Sequence, residues 1–138
     1  MWIVDTDVVV AAIRSRKGAS AEIIRRVLRE QIEIGLSVAL AIEYEAVAMR
    51  EEHALAGGIL VRDALTIVEA LIAVAVPIGT NFRWRPQLRD PDDEMVLEAA
   101  ANGGAEAIVT FNRRDFSPVA ERFGIKVLLP RDALENRR

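Results

Sequence analysis

The chain has 138 residues and a net charge of −3, and 51% of its residues are hydrophobic and 28% charged. This length and composition predict one compact domain over residues 1–138 and exclude a disordered chain. The absence of cysteine and the presence of one histidine, His53, exclude disulfides, cysteine-bound zinc and histidine-rich metal sites. Any catalysis must therefore use carboxylates, hydroxyls and bound ions.

The apolar segments of the chain favour neither a membrane span nor an export signal. The first residues lack a basic segment followed by a long apolar run, as a signal peptide would have. The most apolar stretch, residues 65–78, is interrupted by Glu69 and Pro77 and is too short to cross a bilayer. We therefore expect a cytoplasmic protein with no membrane contact.

Apolar periodicity divides the chain into alternating strands and helices. In chain order it predicts a strand at 2–4, helices at 8–14 and 19–30, a strand at 32–34, a turn at 35–37, a helix at 39–56, one or two helices at 59–76, a loop at 80–92, a helix at 93–102, and strands at 107–111 and 126–129. Strands that alternate with helices indicate an α/β fold with a mostly parallel central sheet.

Acidic residues follow two of the predicted strands. Asp5 and Asp7 come after the first strand, and Asn112 and Asp115 come after the strand at 107–111. In a parallel sheet such positions converge on one crevice. Each acid also has a structural interpretation, because Asp5 and Asp7 suit the start of a helix and Asp115 would cap a short helix.

A second group of acids lies on two predicted helices. Residues 90–94 place four acids in five positions at a helix start, where Asp90 and Pro91 suit the N-cap and the first helical position. Four acids so close repel one another unless a cation lies among them, so at least one is a candidate metal ligand. Glu43, with Glu45 as the alternative, is either a further ligand or a solvated helix residue.

These acids together form a set of oxygen donors. Carboxylates without histidine or cysteine partners are the ligands that Mg²⁺ and Mn²⁺ prefer. Such ions act on phosphate esters, because they activate a water molecule and offset charge on the phosphorus oxygens. The acid pattern therefore points to phosphate-ester chemistry.

Basic residues give a weaker indication of nucleic-acid binding. The candidates are Arg14, Arg16, Lys17, Arg83, Trp84, Arg85, Arg113 and Arg114. Residues 82–85 mix aromatic and basic side chains, as single-stranded nucleic-acid surfaces do, but a loop that packs Trp84 on the body explains them equally well. The basic residues at 14–17 suit either a phosphate backbone or a solvated loop. We expect His53 to lie at the surface.

Four stretches, in order, resemble the motifs of the PIN domain family, in particular the single-domain bacterial and archaeal toxins related to VapC. They are residues 4–11, 40–47, 89–93 and 108–116. The likeness extends from Trp2 to Leu129, and Asp7 stands where the family usually has asparagine. It implies a three-layer α/β/α fold with a short, mostly parallel central sheet of about four or five strands.

The resemblance also implies a site. The metal ligands would be Asp5, Glu43, Asp90, Asp93 and Asp115, and all of these except Asp90 would be catalytic residues. Asn112 competes with Asp115 for the fourth acidic position, because the family often has aspartate at that point. The residues that would orient a ligand or a water molecule are Thr6, Asp7, Thr110 and Asn112.

The activity that the resemblance implies is that of a Mg²⁺- or Mn²⁺-dependent ribonuclease, the toxin of a type II toxin–antitoxin pair. A cognate antitoxin protein would enter the site, and apolar helices such as 59–76 would suit a homodimer. A haloacid-dehalogenase-like phosphatase with Asp5 as nucleophile is one alternative, although Lys17 and Lys126 are poorly placed for it. The other alternative is a catalytically inactive PIN-fold module that binds RNA or protein.

Overall fold

The computed structural model of this chain describes residues 1–81 and 87–136. Within those residues, short parallel strands alternate with helices. In chain order the elements are β1 (Trp2–Val4), α1 (Thr6–Arg14), α2 (Ala19–Leu28), β2 (Gly35–Leu36), α3 (Val38–Ala48), α4 (Glu51–Gly57), α5 (Val61–Val74), β3 (Val76–Pro77), α6 (Pro91–Gly103), β4 (Ala107–Val109), α7 (Arg113–Arg122), β5 (Lys126–Leu128) and α8 (Pro130–Glu135).

All of the described strands pair in parallel, as predicted. The order β1-β4-β5 forms one sheet and β2-β3 a second, and a bridge between Trp2 and Ile34 joins β1 to the chain just before β2. Helix α6 packs on β1, β2 and β4, and α7 packs on β5. The prediction of an α/β/α fold with a short parallel sheet is confirmed.

The core follows from the apolar runs of the central strands. Each residue of β1 and β4 is buried, and so are Leu97, Ala99 and Ala100 on the face of α6 that covers them. Burial of each of the larger side chains among them contributes about 1.5–3 kcal/mol to the free energy of unfolding. The sheet is therefore fixed where strands β1 and β4 lie side by side, and that pair positions the site described below.

Helix α6 begins and ends where local signals predict. Asp90 is its N-cap and accepts a hydrogen bond from the Asp92 N–H at 2.9 Å, and Pro91 is its first residue. Gly104 closes it with a φ of 62°, in the left-handed region that favours glycine. Residues 90–94 thus have the structural role that the capping pattern suggests, whether or not one of them also binds an ion.

The predicted strand at 32–34 is displaced, because β2 occupies Gly35 and Leu36 where a turn was expected. A Cβ on Gly35 would lie 2.3 Å from Ile78 Cδ1 and 2.7 Å from Met1 Sδ. Glycine is there for close packing within a strand, whereas the sequence suggested a turn. Its partner β3 was not predicted at all, since it has two residues and one is Pro77, which is tolerated at a sheet edge.

The predicted helix at 39–56 is two helices, α3 and α4, separated near Met49 and Arg50. No glycine or proline marks this break. Helix α4 packs on α1 so closely that a Cβ on Gly57 would lie 2.0 Å from the Ile13 carbonyl oxygen. The break therefore follows from tertiary packing, and the predicted segment at 59–76 is one helix, α5, followed by β3.

The prediction of a short helix that Asp115 caps and that ends before Pro118 is also wrong. Helix α7 starts after Asn112 and continues through Pro118, so Asp115 lies in its first turn. Burial of Phe116 and Ala120 holds the helix against the body on both sides of the proline. In the ranges 1–81 and 87–136, no helix is long and apolar enough to cross a membrane.

Candidate active site

The carboxyl ends of three neighbouring strands place three residues in a row. Val4, Val109 and Leu128 are in register across β1, β4 and β5, so the next residues, Asp5 and Thr110 and then Leu129, follow at the same edge of the sheet. The Asp5 N–H donates to the Val109 carbonyl and the Thr110 N–H to the Leu128 carbonyl, each at 2.9 Å. The ladder thus extends one residue beyond the strands and fixes this edge.

Asp5 is buried at this edge, with 7% of its surface exposed. One carboxylate oxygen accepts a hydrogen bond from the Thr6 N–H and the other from the Thr110 hydroxyl, both at 2.7 Å. Burial first and the charge of Asp7 second raise the pKa of Asp5, the hydrogen bonds from Thr110 and Thr6 oppose the rise, and the resulting pKa is about 6. Asp5 is therefore the N-cap of α1 and also a buried acid whose two carboxylate oxygens are each held by a hydrogen bond.

Asp7 does more than occupy the first turn of a helix. Its Oδ2 accepts hydrogen bonds from the Phe111 N–H at 3.1 Å and from the Asn112 side-chain amide at 3.3 Å, and the Thr110 hydroxyl lies 3.4 Å away. Its other oxygen, Oδ1, is buried and has no hydrogen-bond partner in the part of the chain that the structure describes. Burial raises the pKa of Asp7. The side chain thus joins α1 to the segment that follows β4 and keeps one oxygen available as a ligand.

Thr110 connects these groups. It is fully buried, its hydroxyl donates to Asp5, and the same oxygen accepts a hydrogen bond from the Asn112 N–H at 3.0 Å. Thr6, in contrast, reaches Asp5 through its backbone N–H. Threonine 110 therefore fixes both the Asp5 carboxylate and the turn that carries Asn112, whose side-chain amide is directed at Asp7.

A second set of acids comes from helices α6 and α7. Asp93 is half-buried in the first turn of α6. Burial, and after it the charges of Asp5, Asp90 and Asp115, together raise its pKa to about 6. A cleft of about 470 Å³, which we call the acid cleft, is lined by Asp90, Asp93, Asp115 and Arg114 among others. The fold therefore brings acids from β1, α6 and α7 within range of one another's charge.

Glu43, on helix α3, is connected to the other acids of the site less directly than Asp93 and Asp115 are. It is half-buried on α3, whereas Glu45 is exposed, which favours Glu43 as the ligand candidate on this helix. Its neighbour Tyr44 is fully buried and donates a hydrogen bond from its hydroxyl to the Val4 carbonyl, just before Asp5. Among the described residues, no hydrogen bond or ion pair joins Glu43 to the aspartates of the site. The hydrogen bond of Tyr44 is thus what ties α3 to the end of β1.

Glu94 has a structural role that the sequence does not reveal. It is 3% exposed, and its Oε1 accepts hydrogen bonds from the Gln87 and Leu88 N–H groups at 2.5 and 2.7 Å. These bonds attach the segment before α6 to the helix itself. Of the acids at 90–94, Glu94 therefore holds backbone, while Asp93 faces the acid cleft.

The basic candidates divide into three groups. The Arg14 guanidinium lies 2.9 Å from His53 Nδ1. His53 was expected at the surface and is half-buried there, with no hydrogen-bond partner for its Nε2 among residues 1–81 and 87–136. Arg16 and Lys17 are exposed after α1, and Arg113 and Arg114 are exposed at the start of α7. The remaining candidates, Arg83, Trp84 and Arg85, lie outside the described residues.

The donor set fits a hard divalent cation. It consists of carboxylate oxygens, one of which, Asp7 Oδ1, is buried and lacks a partner within the described ranges. Repulsion among the acids contributes to the raised pKa values of Asp5 and Asp93. In the part of the chain that the structure describes, no three of these groups stand close enough together to hold an ion as they are. Binding would therefore require the acids to move toward one another.

Comparison with known proteins gives two findings. A partial likeness, 42% identical over 55 residues, relates this chain to a protein described as the tryptophan synthase alpha chain of Salinispora arenicola (strain CNS-205). It covers 40% of this chain, which spans about a fifth (21%) of that relative. A family model described as PIN domain matches residues 2–114 of the 138, including β1, β4 and each of the acids at their ends except Asp115. The chain therefore belongs to the PIN domain family, whose members are generally nucleases that use divalent metal ions.

Proposed function

We propose that the protein is a ribonuclease that hydrolyses phosphodiester bonds with Mg²⁺ or Mn²⁺ bound among its acids. The observation that carries this proposal is that Asp5, Asp93 and Asp115, from three separate elements, lie within range of one another's charge, and that Asp7 has a buried oxygen without a partner among the described residues. When bound, such an ion activates water and offsets charge on the phosphorus oxygens. The family supports a nuclease, and RNA as the substrate and the identity of the ion are part of our proposal.

The side chains take different parts in this site. Asp5, Glu43 and Asp93 would hold the ion, with Asp90 close by and Asp115 or Asn112 in the fourth position. The structure favours Asp115 over Asn112, because Asp115 lines the acid cleft with Asp93 whereas the Asn112 amide donates to Asp7. Thr110 and the Thr6 N–H keep the Asp5 carboxylate in one orientation. A carboxylate that is already oriented loses little entropy when it meets its ligand.

The chain also supplies a cation for the substrate. Arg114 lines the acid cleft together with Asp93 and Asp115, and its side chain is exposed. A guanidinium matches the geometry of a phosphate through paired hydrogen bonds. We therefore propose that Arg114 binds a backbone phosphate next to the one that is cleaved, with Arg113, Arg16 and Lys17 as weaker phosphate contacts.

We further propose that the protein is a toxin whose cognate antitoxin covers this cleft, and that it forms a homodimer. Exposed apolar side chains support the dimer: Val38 and Ile42 lie on α3, Met49 directly follows it, Leu55 lies on α4, and Leu60 precedes α5. Several large apolar side chains on adjoining helices are typical of a surface that a partner covers. Light scattering of the purified protein would show twice the 15.2 kDa chain mass if a dimer forms.

The phosphatase alternative is less consistent with the geometry. It requires a lysine beside the nucleophile Asp5, and the chain has only two lysines. Lys126 begins β5, in register with Trp2 and Ala107, at the opposite end of the sheet, and Lys17 follows α1. The likeness to tryptophan synthase covers too little of either chain to suggest that activity here.

The test is cleavage of a long RNA of mixed structure in the presence of Mn²⁺. Wild-type protein should cleave, whereas Asp93→Asn and wild type with EDTA should not. Asp92→Asn is the matched control, since Asp92 is exposed and does not line the acid cleft. Equal cleavage by wild type and Asp93→Asn would contradict the site, and metal binding without cleavage of any RNA would favour an inactive binding module.

A further inference from the structure

The exposed aromatic ring of Phe111 stands beside the acids. Of the described aromatic residues, Trp2, Tyr44 and Phe116 are buried and Phe123 is half-buried, whereas Phe111 is 49% exposed although it directly follows the buried Thr110. Its N–H donates to Asp7 Oδ2 at 3.1 Å. An exposed apolar residue is ordinary by itself, so its meaning depends on what surrounds it.

The backbone that carries Phe111 is held on both sides. Before it, Thr110 is fixed by the hydrogen bond to Asp5, and after it, the Asn112 N–H donates to the Thr110 hydroxyl oxygen. The ring therefore projects from a turn whose position relative to Asp5 and Asp7 is set by several hydrogen bonds. A side chain placed in this way binds a ligand at low conformational cost.

Three clefts meet around this turn. The acid cleft shares Arg114 and Asp115 with a central cleft of about 660 Å³, and the central cleft shares Phe111 and Leu129 with a third cleft of about 430 Å³. Phe111 and Leu129 therefore form a ridge between the central and the third cleft. The path from the acids leads over Arg114, along the central cleft and across Phe111.

Cations lie on both sides of the ridge. Arg113 and Arg114 line the central cleft, and Lys17 and Arg131 line the third cleft. An exposed aromatic face between basic clefts is the arrangement in which single-stranded nucleic acids bind, with phosphates on the cations and a base stacked on the ring. A base in a duplex cannot stack in this way, because its faces are covered by its neighbours.

We infer that Phe111 is a stacking platform for one unpaired base of a single-stranded RNA whose phosphates run from the acid cleft, past Arg114, to Lys17 and Arg131. The inference rests on the proposed function for the direction of the strand and deepens it by assigning a residue that positions the substrate. Phe111 then selects unpaired over paired RNA and positions the strand for cleavage, without taking part in the chemistry.

The test measures binding in EDTA, where no cleavage occurs, by fluorescence anisotropy with a labelled single-stranded RNA of about ten nucleotides. Stacking on an aromatic side chain is worth about 10- to 100-fold in affinity per base. Phe111→Leu, which keeps an apolar side chain but lacks a π face, should weaken binding by about tenfold or more. Phe111→Trp should bind as well as wild type or better.

Two further ligands separate stacking from a change in charge or fold. A strand of the same length that carries abasic sites should bind wild type and Phe111→Leu equally, and a duplex of the same sequence should be insensitive to the substitution. Unchanged binding of single-stranded RNA by Phe111→Leu would overturn the inference. An equal loss for the RNA and the abasic strand would also overturn it, because the effect would then not involve a base.

Cleavage assays keep this result apart from the proposed function. If wild type cleaves RNA, Phe111→Leu should raise KM with kcat nearly unchanged, whereas a lower kcat at unchanged KM would contradict a stacking role. If wild type cleaves no RNA but Phe111→Leu selectively loses affinity for base-bearing single strands, the proposed catalysis fails and the stacking platform stands.

Discussion

The candidate site has two halves, one at the ends of the strands and one on helices α6 and α7, and the fold holds their acidic side chains to different degrees. In the strand half, Asp5 and Asp7 accept hydrogen bonds from backbone N–H groups, from Thr110 and from Asn112, and both are largely buried. In the helix half, the carboxylates of Asp93 and Asp115 form no hydrogen bond or ion pair among the described residues. The strand half is thus a fixed template, and the helix half is free to adjust to what binds.

This difference has a physical consequence for the ion. Ligands that the fold already holds in place determine where the ion binds. Loosely held carboxylates repel one another until a cation binds among them. The raised pKa of Asp93 arises from burial and from the charge of Asp5 across the cleft, followed by the acids of its own helix and of α7. We therefore expect substitutions in the two halves to have different effects on stability and similar effects on activity.

The largest effect is expected from Asp5→Asn. Loss of a central ligand should lower RNA cleavage by about a hundredfold or more. Because burial raises the pKa of Asp5 to about 6, its charge destabilises the metal-free fold at pH 7, and the neutral variant should gain about 1–3 kcal/mol in unfolding free energy. Urea unfolding in EDTA checks this, and a clear loss of stability would contradict the assigned electrostatics.

Thr110→Val should have the next largest effect. It is close in shape, but it removes the hydroxyl that donates to Asp5 and accepts from the Asn112 N–H. A support of this kind is worth about 10- to 100-fold in metal affinity or activity. Mn²⁺-dependent cleavage measures the loss. Thr110→Ser should restore most of the activity, and Thr6→Val is the control, since Thr6 reaches Asp5 through its backbone.

The metal-free protein should become more stable as the pH falls from 7 to 5. Asp5 and Asp93 have folded-state pKa values of about 6, above the ordinary value of 3.8, so the folded state binds more protons than the unfolded state between about pH 4 and 6. Stability therefore increases as the pH falls through 6 and levels off near pH 4. Thermal unfolding in EDTA measures this, and Mn²⁺ should reduce the gain. A midpoint that falls steadily from pH 7 to 5 would contradict it.

The smallest effect is expected from Tyr44→Phe. The phenol donates to the Val4 carbonyl beneath Asp5, and its loss leaves a buried acceptor without that donor. We expect a cost of about 1–2 kcal/mol in unfolding free energy and a modest decrease in cleavage. Denaturant unfolding provides the measurement. A loss of cleavage as large as that of Asp5→Asn would show that α3 contributes more to the strand half than this hydrogen bond.

The difference between the halves also shows what the sequence predicts and what it does not. Both ends of α6 could be predicted from the local sequence, because Asp90 and Pro91 mark its start and Gly104 marks its end. The apolar runs of β1, β4 and β5 likewise predicted the sheet that carries Asp5. The strand half depends on contacts between residues about a hundred positions apart, such as those of Asp7 with Phe111 and Asn112. No local pattern reveals them, and the role of Asp7 was accordingly underestimated.

Other errors have the same origin. Gly35 suggested a turn because only the fold shows that Ile78 and Met1 pack against its backbone. The separation of α3 from α4 follows from the contact of Gly57 with the Ile13 carbonyl, which joins residues far apart in the chain. Phe111 was part of a strand in the prediction, and its exposure depends on how the chain turns after β4.

The most direct test of a shared ion is Mn²⁺ binding, followed by the loss of the free-ion electron paramagnetic resonance signal. The account predicts that wild type binds Mn²⁺, that Asp5→Asn and Asp93→Asn each weaken binding by at least about tenfold, and that Asp92→Asn binds as wild type does. Equal binding by wild type and Asp93→Asn, or no binding by wild type, would contradict the claim that the two halves hold one ion between them.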